Sequence, residues 1–76
     1  MTTKAKPRYV LNKKAVQNYL IDHDLTQGDF TQALGISTSY LSELLNGRRS
    51  IPLNILFSIA EETAMDIHEL VIEVNE

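Results

Sequence analysis

A row of small polar side chains and a pair of arginines are the residues of this sequence best suited to contact another molecule. Four serine and threonine hydroxyl groups fall within one short stretch, at Ser37, Thr38, Ser39 and Ser42. Glu43 follows directly, and Arg48 and Arg49 come shortly after it. Hydroxyls donate and accept hydrogen bonds, carboxylates accept them, and guanidinium groups bind phosphate oxygens. The row can therefore contact polar edges of a partner, while the arginines hold an anion beside it.

The sequence lacks the residue sets that catalytic and metal sites need. It contains no Ser/His/Asp set and no glycine-rich phosphate loop, and its two histidines, His23 and His68, lie far apart. Cysteine is absent, so disulfides and thiolate metal ligands are excluded. We therefore expect a binding protein and not an enzyme, with no catalytic residue, no cofactor and no metal.

Two short helices joined by a tight turn must position the polar row, within residues 25–47. Gly35 can take a left-handed conformation at the end of the first of these helices. Ser37 can then cap the second helix by accepting a bond from a free backbone N–H. Thr26 can cap the first helix, with Asp29 as its partner in a capping box. The polar row therefore lies at the start of the second helix, on the face away from its leucines.

Three further helices complete the predicted fold. Asn12 is expected to cap the first helix of the chain. The fourth begins at Ile51-Pro52 and is apolar on nearly all sides, so we expect it to be the buried central helix. The last begins at Asp66, with Glu69 as its box partner. Its core stripe is expected at Ile67, Leu70, Val71 and Val74.

The chain resembles the phage-repressor (Cro-like, XRE-type) helix-turn-helix family. The matching residues are Leu25-Thr26-Gln27, Leu34-Gly35-Ile36-Ser37, Ser39, Leu41-Ser42 and Asn46-Gly47, continuing through Pro52-Leu53, Ile59-Ala60 and Glu69-Leu70. The resemblance covers residues 11–74. It implies an all-α, five-helix, lambda-repressor-like DNA-binding domain with the helix-turn-helix at helices 2 and 3.

Three positions depart from the family pattern. Thr31 stands where a small Ala is usual, Leu45 where Glu often precedes Asn-Gly, and Ala64 where Gly usually ends the fourth helix. The Thr31 side chain either loosens the packing of the two motif helices or bonds back to the carbonyl four residues earlier. None of the three removes a feature that DNA binding needs.

The resemblance also implies which residues contact double-stranded DNA. The second motif helix would enter the major groove and present its first turn to base edges. Gln27 would bond a phosphate beside the start of the first motif helix, and Arg48 would contact the neighbouring strand. The full set of expected DNA contacts is Gln27, Ser37, Thr38, Ser39, Tyr40, Ser42, Glu43, Asn46, Arg48 and Arg49. The implied function is a sequence-specific transcriptional regulator, a dimeric repressor that reads a near-palindromic operator.

The charge distribution favours a polyanionic partner, although the net charge is −3. Residues 1–50 carry seven basic and four acidic side chains, a net +3, whereas residues 51–76 carry six acidic and no basic ones. Such a chain can turn one end toward DNA, although chance segregation on a solvated surface is the alternative. We expect residues 1–10 to be a flexible basic arm, either along the DNA or as a solubilising tail, ahead of a domain at residues 11–76.

A chain of 76 residues makes one small domain, which dimerisation would stabilise. Ile72 lies off the predicted core stripe, and the resemblance implies pairing of protomers in this region. We therefore expect a homodimer with Ile72 and Val74 at its interface. The alternative is an antitoxin or phage anti-repressor component whose main partner is another protein, a toxin or a phage regulator. With no signal peptide and no apolar run of membrane length, the expected location is the cytoplasm, without membrane contact.

Overall fold

The computed structural model describes residues 8–74, which form five helices and two short strands. The elements in chain order are β1 (Arg8–Leu11), α1 (Lys13–Asp22), α2 (Gln27–Leu34), α3 (Thr38–Leu45), α4 (Leu53–Thr63), α5 (Ile67–Leu70) and β2 (Val71–Val74). None of the helices within this range is both long and apolar enough to cross a lipid bilayer.

The two strands form an antiparallel ribbon that joins both ends of the described chain. Arg8 pairs with Val74 and Leu11 with Val71. The backbone N–H of Asn12 then donates to the carbonyl of Leu70 at 2.7 Å, which fixes the start of α1 beside the end of α5. On the side of β1 away from β2, the carbonyl of Tyr9 accepts the N–H of Ile51 at 2.9 Å. The ribbon therefore holds the loop before α4 as well as the start of α1.

The ribbon corrects the all-α expectation and shortens the last helix. The predicted helix ran on to Val74, but α5 is a single turn that ends at Leu70, and Val71 is extended (φ −122°, ψ 152°). Three of the four residues of β2 are β-branched, a side-chain type that favours strands. Pairing with β1 supplies the hydrogen bonds that a longer helix would have made. The fold is thus mostly helical with a small sheet.

The expected basic arm is also shorter than predicted. The sequence predicts that residues 8–10 belong to the arm, yet they belong to β1, and Val10 is buried together with Leu11. Burial of these side chains against the helices, together with pairing to β2, orders a segment that shows no periodicity in the sequence. Residues 1–7 of the predicted arm lie outside the described residues.

One apolar core connects the helices with the ribbon. Its buried members are Leu11, Val16, Leu20, Phe30, Leu41, Leu44, Leu45, Ile51, Leu56, Ile59 and Leu70. The expectation that every apolar residue of α4 would be core is wrong for two of them, since Leu53 is 68% exposed and Phe57 is 50% exposed. These two lie four residues apart and share a face outside the one that α4 turns to the core. An exposed apolar surface therefore runs along α4.

The predicted N-cap residues hold the starts of α1, α2, α3 and α5, but the capping box predicted between Asp66 and Glu69 is not formed among residues 8–74. The Asn12 side chain accepts the N–H of Ala15 at 3.3 Å, and the Ser37 hydroxyl accepts that of Tyr40 at 3.0 Å. Both bonds of the capping box between Thr26 and Asp29 are present, at 3.0 and 3.1 Å. Asp66 caps α5 through the N–H of His68 (3.0 Å).

Candidate nucleic-acid interface

A tight turn aims α3 away from α2 and leaves its first residues at the surface. Gly35 ends α2 in the left-handed conformation (φ 75°, ψ 27°), and its N–H donates to the carbonyl of Thr31 at 2.8 Å. The N–H of Ile36 donates to the same carbonyl at 3.1 Å. These bonds satisfy the last carbonyls of α2 and let Ser37 begin α3 two residues after Gly35.

Helix α3 separates a buried apolar face from an exposed polar one. Leu41, Leu44 and Leu45 are buried in the core. Thr38 and Ser39, in the first turn, are exposed. Ser42, Glu43 and Tyr40 are partly exposed, and Ser37 is exposed although its hydroxyl is used as the cap. The residues expected to read bases therefore share the exposed side of one helix, and its first turn is accessible to a partner.

Glu43 is held by Arg49, so these two predicted contact residues are not independent. The Nε of Arg49 donates to a carboxylate oxygen of Glu43 in an ion pair. The same guanidinium lies over the ring of Tyr40, 5.6 Å from its centroid, in a cation–π contact. Arg49 therefore offsets the one negative charge on the exposed face of α3, which would otherwise repel a phosphate backbone.

Arg48 differs from its neighbour. Its backbone N–H donates to the carbonyl of Glu43 at 3.0 Å, which fixes the loop directly after α3. The side chain is exposed and forms no hydrogen bond or ion pair with residues 8–74. A guanidinium in this position is available to an anionic partner.

Two more basic residues lie at the end of α3, and the sequence alone did not bring them together with the motif. The Nζ of Lys13 lies 3.4 Å from Oδ1 of Asn46, and a terminal nitrogen of Arg8 donates to the carbonyl of Gly47 at 3.3 Å. Asn46 in turn donates to the hydroxyl of Ser42 at 3.4 Å. We call Arg8, Lys13, Arg48 and Arg49 the basic cluster. A cation such as Lys13 is disfavoured at a helix start, but the sequence does not show that Lys13 lies beside Asn46, because that contact depends on how the ribbon places α1.

Gln27 is the first residue of α2, and the capping box at this helix start includes the carboxylate of Asp29. Asp29 is held there by hydrogen bonds with the backbone N–H and the hydroxyl of Thr26. These bonds lower the pKa of Asp29, and the backbone bond has the larger effect. The carboxylate satisfies one N–H at this end of the helix. Gln27, partly buried, remains beside it with an amide that can donate to an anion.

A pair of threonines joins α2 to α3 behind the exposed turn. Thr31 is 3% exposed, and its hydroxyl donates to the carbonyl of Gly28 at 3.0 Å. The acceptor is three residues earlier, not four as one of the two sequence-based alternatives had it. The hydroxyl of Thr38 lies 3.4 Å from that of Thr31. Thr31 therefore contacts a residue of the exposed face from the interior.

The described residues offer little to a metal or a small ligand near α3. Among residues 8–74, no three His, Asp or Glu side chains gather as possible metal ligands. An open cavity of about 590 Å³ is lined by Asn18 of α1 and by His23 directly after it, together with Met65 and Glu69. No lining residue of that cavity belongs to α2 or α3.

Comparison with known proteins agrees with this geometry. The crystal structure of the transcriptional regulator VanUg superposes with a TM-score of 0.70 at 25% identity, covering 100% of this chain and 96% of the other. A search of curated proteins found no match. A family model described as helix-turn-helix matches residues 16–70, most of the chain and the whole of the α2–α3 motif. The chain therefore belongs to the XRE-type helix-turn-helix family of DNA-binding proteins.

Proposed function

We propose that this protein is a sequence-specific double-stranded DNA-binding transcriptional regulator, and that it acts as a dimeric repressor on a near-palindromic operator. The observation that carries the proposal is the arrangement of α3. Its first turn exposes Thr38 and Ser39, and the basic cluster lies at its other end. Membership of the helix-turn-helix family and the likeness to a transcriptional regulator support it.

In this proposal, α3 lies in the major groove and the basic cluster contacts the phosphates beside it. Thr38, Ser39 and Ser42 exchange hydrogen bonds with base edges. Glu43 accepts from a cytosine amino group, and its ion pair with Arg49 reduces repulsion from the backbone. Arg48 and Lys13 bind phosphates after α3, and Gln27 binds one at the start of α2.

A second copy would supply the second half-site. Strand β2 pairs with β1 on one side, and within residues 8–74 no other strand pairs with its outer edge. Ile72 on this strand is 45% exposed. An exposed strand edge with an apolar side chain is a ready site for pairing with another chain. We therefore propose that Ile72 and Val74 contact a second protomer, with half-sites roughly 34 Å apart or a multiple of that.

A second candidate function is binding to another protein, as an antitoxin or phage anti-repressor component does. Leu53 and Phe57 favour this function, because they expose apolar surface on α4 outside the face that packs against the core. Residues 51–76 are acidic, which suits a basic partner. Under this function, Leu53→Ser with Phe57→Ser abolishes capture of the partner and leaves DNA affinity unchanged.

Selection from random duplexes, combined with two single variants, tests the proposed function. Arg48→Ala removes a phosphate contact, so it should weaken binding to all duplexes alike and reduce the salt slope by about 1. Ser39→Ala removes a base contact, so it should change the preference at one base pair by roughly 3- to 10-fold, the value of one net hydrogen bond.

Lys14→Ala is the matched control for Arg48→Ala. It removes one positive charge beside the open cavity at α1, whose lining includes no residue of α3, and it should change binding much less than Arg48→Ala does. If the wild-type protein enriches no sequence, or if Arg48→Ala and Ser39→Ala shift base preference equally, the proposed division of roles is wrong.

A further inference from the structure

The hydroxyls of Thr31 and Thr38 and the carbonyl of Gly28 form a short chain of hydrogen bonds, which can run in one direction only. Each hydroxyl carries a single proton. The carbonyl of Gly28 can only accept, and it lies 3.0 Å from the Thr31 oxygen, closer than the 3.4 Å between the two threonine oxygens. The Thr31 proton therefore points to Gly28.

This arrangement fixes how Thr38 can bond to a partner. Because the Thr31 proton is used, the Thr31 oxygen can only accept from Thr38. When the two hydroxyls are bonded, the proton between them is therefore that of Thr38, and it points inward, toward α2. Thr38 is exposed at the first position of α3, so it meets a partner with its lone pairs alone. A hydroxyl that could otherwise donate or accept has become an acceptor.

We propose that Thr31, which is buried and out of reach of DNA, sets the base preference of Thr38. An acceptor in the major groove selects a base that presents an amino group, adenine through N6 or cytosine through N4. Guanine and thymine present acceptors at the corresponding edge and are disfavoured. The inference rests on the proposed function, since it concerns a base contact made by α3. Thr31 is thus a positioning residue that acts through Thr38.

The position that Thr38 reads is found first, as the base pair whose preference changes in Thr38→Val. At that pair the wild-type protein should favour adenine or cytosine. Thr31→Val keeps the shape of the side chain but removes its hydroxyl, so Thr38 regains the freedom to donate. The preference for adenine or cytosine over guanine or thymine should then fall by roughly 3- to 10-fold, the value of one net hydrogen bond. Thr31→Ser retains the hydroxyl and should retain the preference.

Thr63→Val is the matched control. Thr63 is also a buried threonine (8% exposed) whose hydroxyl donates to a carbonyl of its own helix, that of Ile59 at 2.8 Å, but it lies on α4. It should lose stability as Thr31→Val does without changing any base preference.

The outcomes separate this inference from the proposed function. If the wild-type protein enriches a defined site and Thr31→Val keeps the same ratio at the Thr38 pair, the inference is overturned and the proposed function stands. The inference also fails if Thr63→Val relaxes that pair as much as Thr31→Val, or if Thr38→Val changes no pair. If the wild-type protein enriches no sequence, the proposed function fails, and the inference fails with it.

Discussion

Ala64 ends α4 in a backbone conformation that suits glycine better. Its φ of 59° and ψ of 25° lie in the left-handed region, where a Cβ crowds the following carbonyl. Asp24 takes a similar φ of 56° after α1, but aspartate tolerates this region better because its side chain can bond locally. The helix-turn-helix family usually has Gly at the position of Ala64, and the left-handed backbone conformation explains this preference.

Ala64→Gly should therefore stabilise the protein by about 1 kcal/mol, the left-handed strain relieved less the entropy that glycine gains when unfolded. Urea unfolding at constant m-value measures it. Ala33→Gly, at an exposed position inside α2, serves as the control and should cost about 1 kcal/mol. A loss of stability in both variants would show that Ala64 is not strained.

The capping carboxylates of Asp29 and Asp66 should make the stability of the protein depend on pH in the acidic range. Hydrogen bonds from Thr26 lower the pKa of Asp29, and hydrogen bonds from His68 lower that of Asp66. A carboxylate whose pKa is lower folded than unfolded stabilises the protein above its ordinary pKa, and this stabilisation is lost as the pH falls through the lowered value. The free energy of unfolding should therefore decline below about pH 4.

Asp29→Asn should make that decline shallower, because the amide does not titrate. The measurement is urea unfolding between neutral pH and pH 2.5. Asp22→Asn makes the same change of charge at the end of α1, where the side chain caps no helix. Equal flattening by both variants would assign the acid response to net charge instead of to the cap.

At the scale of elements, Asn12, the residue that follows β1, joins α1 to α5. Its side-chain oxygen caps α1, its amide donates to the carbonyl of Glu69 at 3.0 Å, and its backbone N–H bonds Leu70 at the end of α5. One residue thus holds the start of α1 against the last helical turn and the ribbon. This placement keeps Lys13, the next residue, beside the end of α3.

Removing one or both of the side-chain bonds of Asn12 should give a graded loss of stability. Asn12→Ala loses the cap and the bond to Glu69, a cost of about 2 kcal/mol. Asn12→Ser keeps an oxygen for the cap and loses only the amide donor, so about 1 kcal/mol is expected. Chemical denaturation orders the variants, and a serine variant as unstable as the alanine variant would mean that the bond to Glu69 dominates.

The helix starts could be predicted from the sequence because their caps are local. The strands could not, because their pairing joins residues far apart in the sequence. Thr26 and Ser37 bond groups three residues away, so their roles can be inferred from the sequence. The pairing of Arg8 with Val74 joins residues at opposite ends of the chain, and the spacing of Ile67, Leu70, Val71 and Val74 fits a helix until β1 competes for it.

In the candidate site, too, some features could be predicted from the sequence and others could not. The exposure of Thr38 and Ser39 follows from the burial of the leucines on the same helix, and it could be predicted. The bond between Thr31 and Thr38 depends on the packing distance of two helices, to which the sequence gives no guide. The ion pair of Arg49 with Glu43 depends on the path of the loop after α3.

At the scale of the molecule, folding gathers positive charge from separate parts of the chain. Arg8 and Lys13 come from β1 and α1, and both meet the end of α3 next to Arg48 and Arg49. Residues 51–76 carry only negative charge, so the acidic surface comes from other elements. A net-negative protein can therefore approach DNA with one side.

Binding should depend strongly on salt, with a slope that reports the number of protomers. If each protomer touches about four phosphates, a dimer on a full site should give a log–log slope near −7, and a monomer a slope near −3.5. Titrations from low to physiological salt measure it, and the mass of the free protein in solution provides the independent check. A slope near zero would contradict the phosphate contacts.

The ribbon also sets how the molecule would respond to tension. Arg8 and Val74 lie side by side at one end of the antiparallel pair, so opposite pulls on the two ends of the chain would unzip β1 from β2 one rung after another, with no shearing. The rungs would break in turn at low force. As β1 peels away, Tyr9 releases Ile51 and Arg8 releases Gly47, so the strain passes directly into the loop that follows α3.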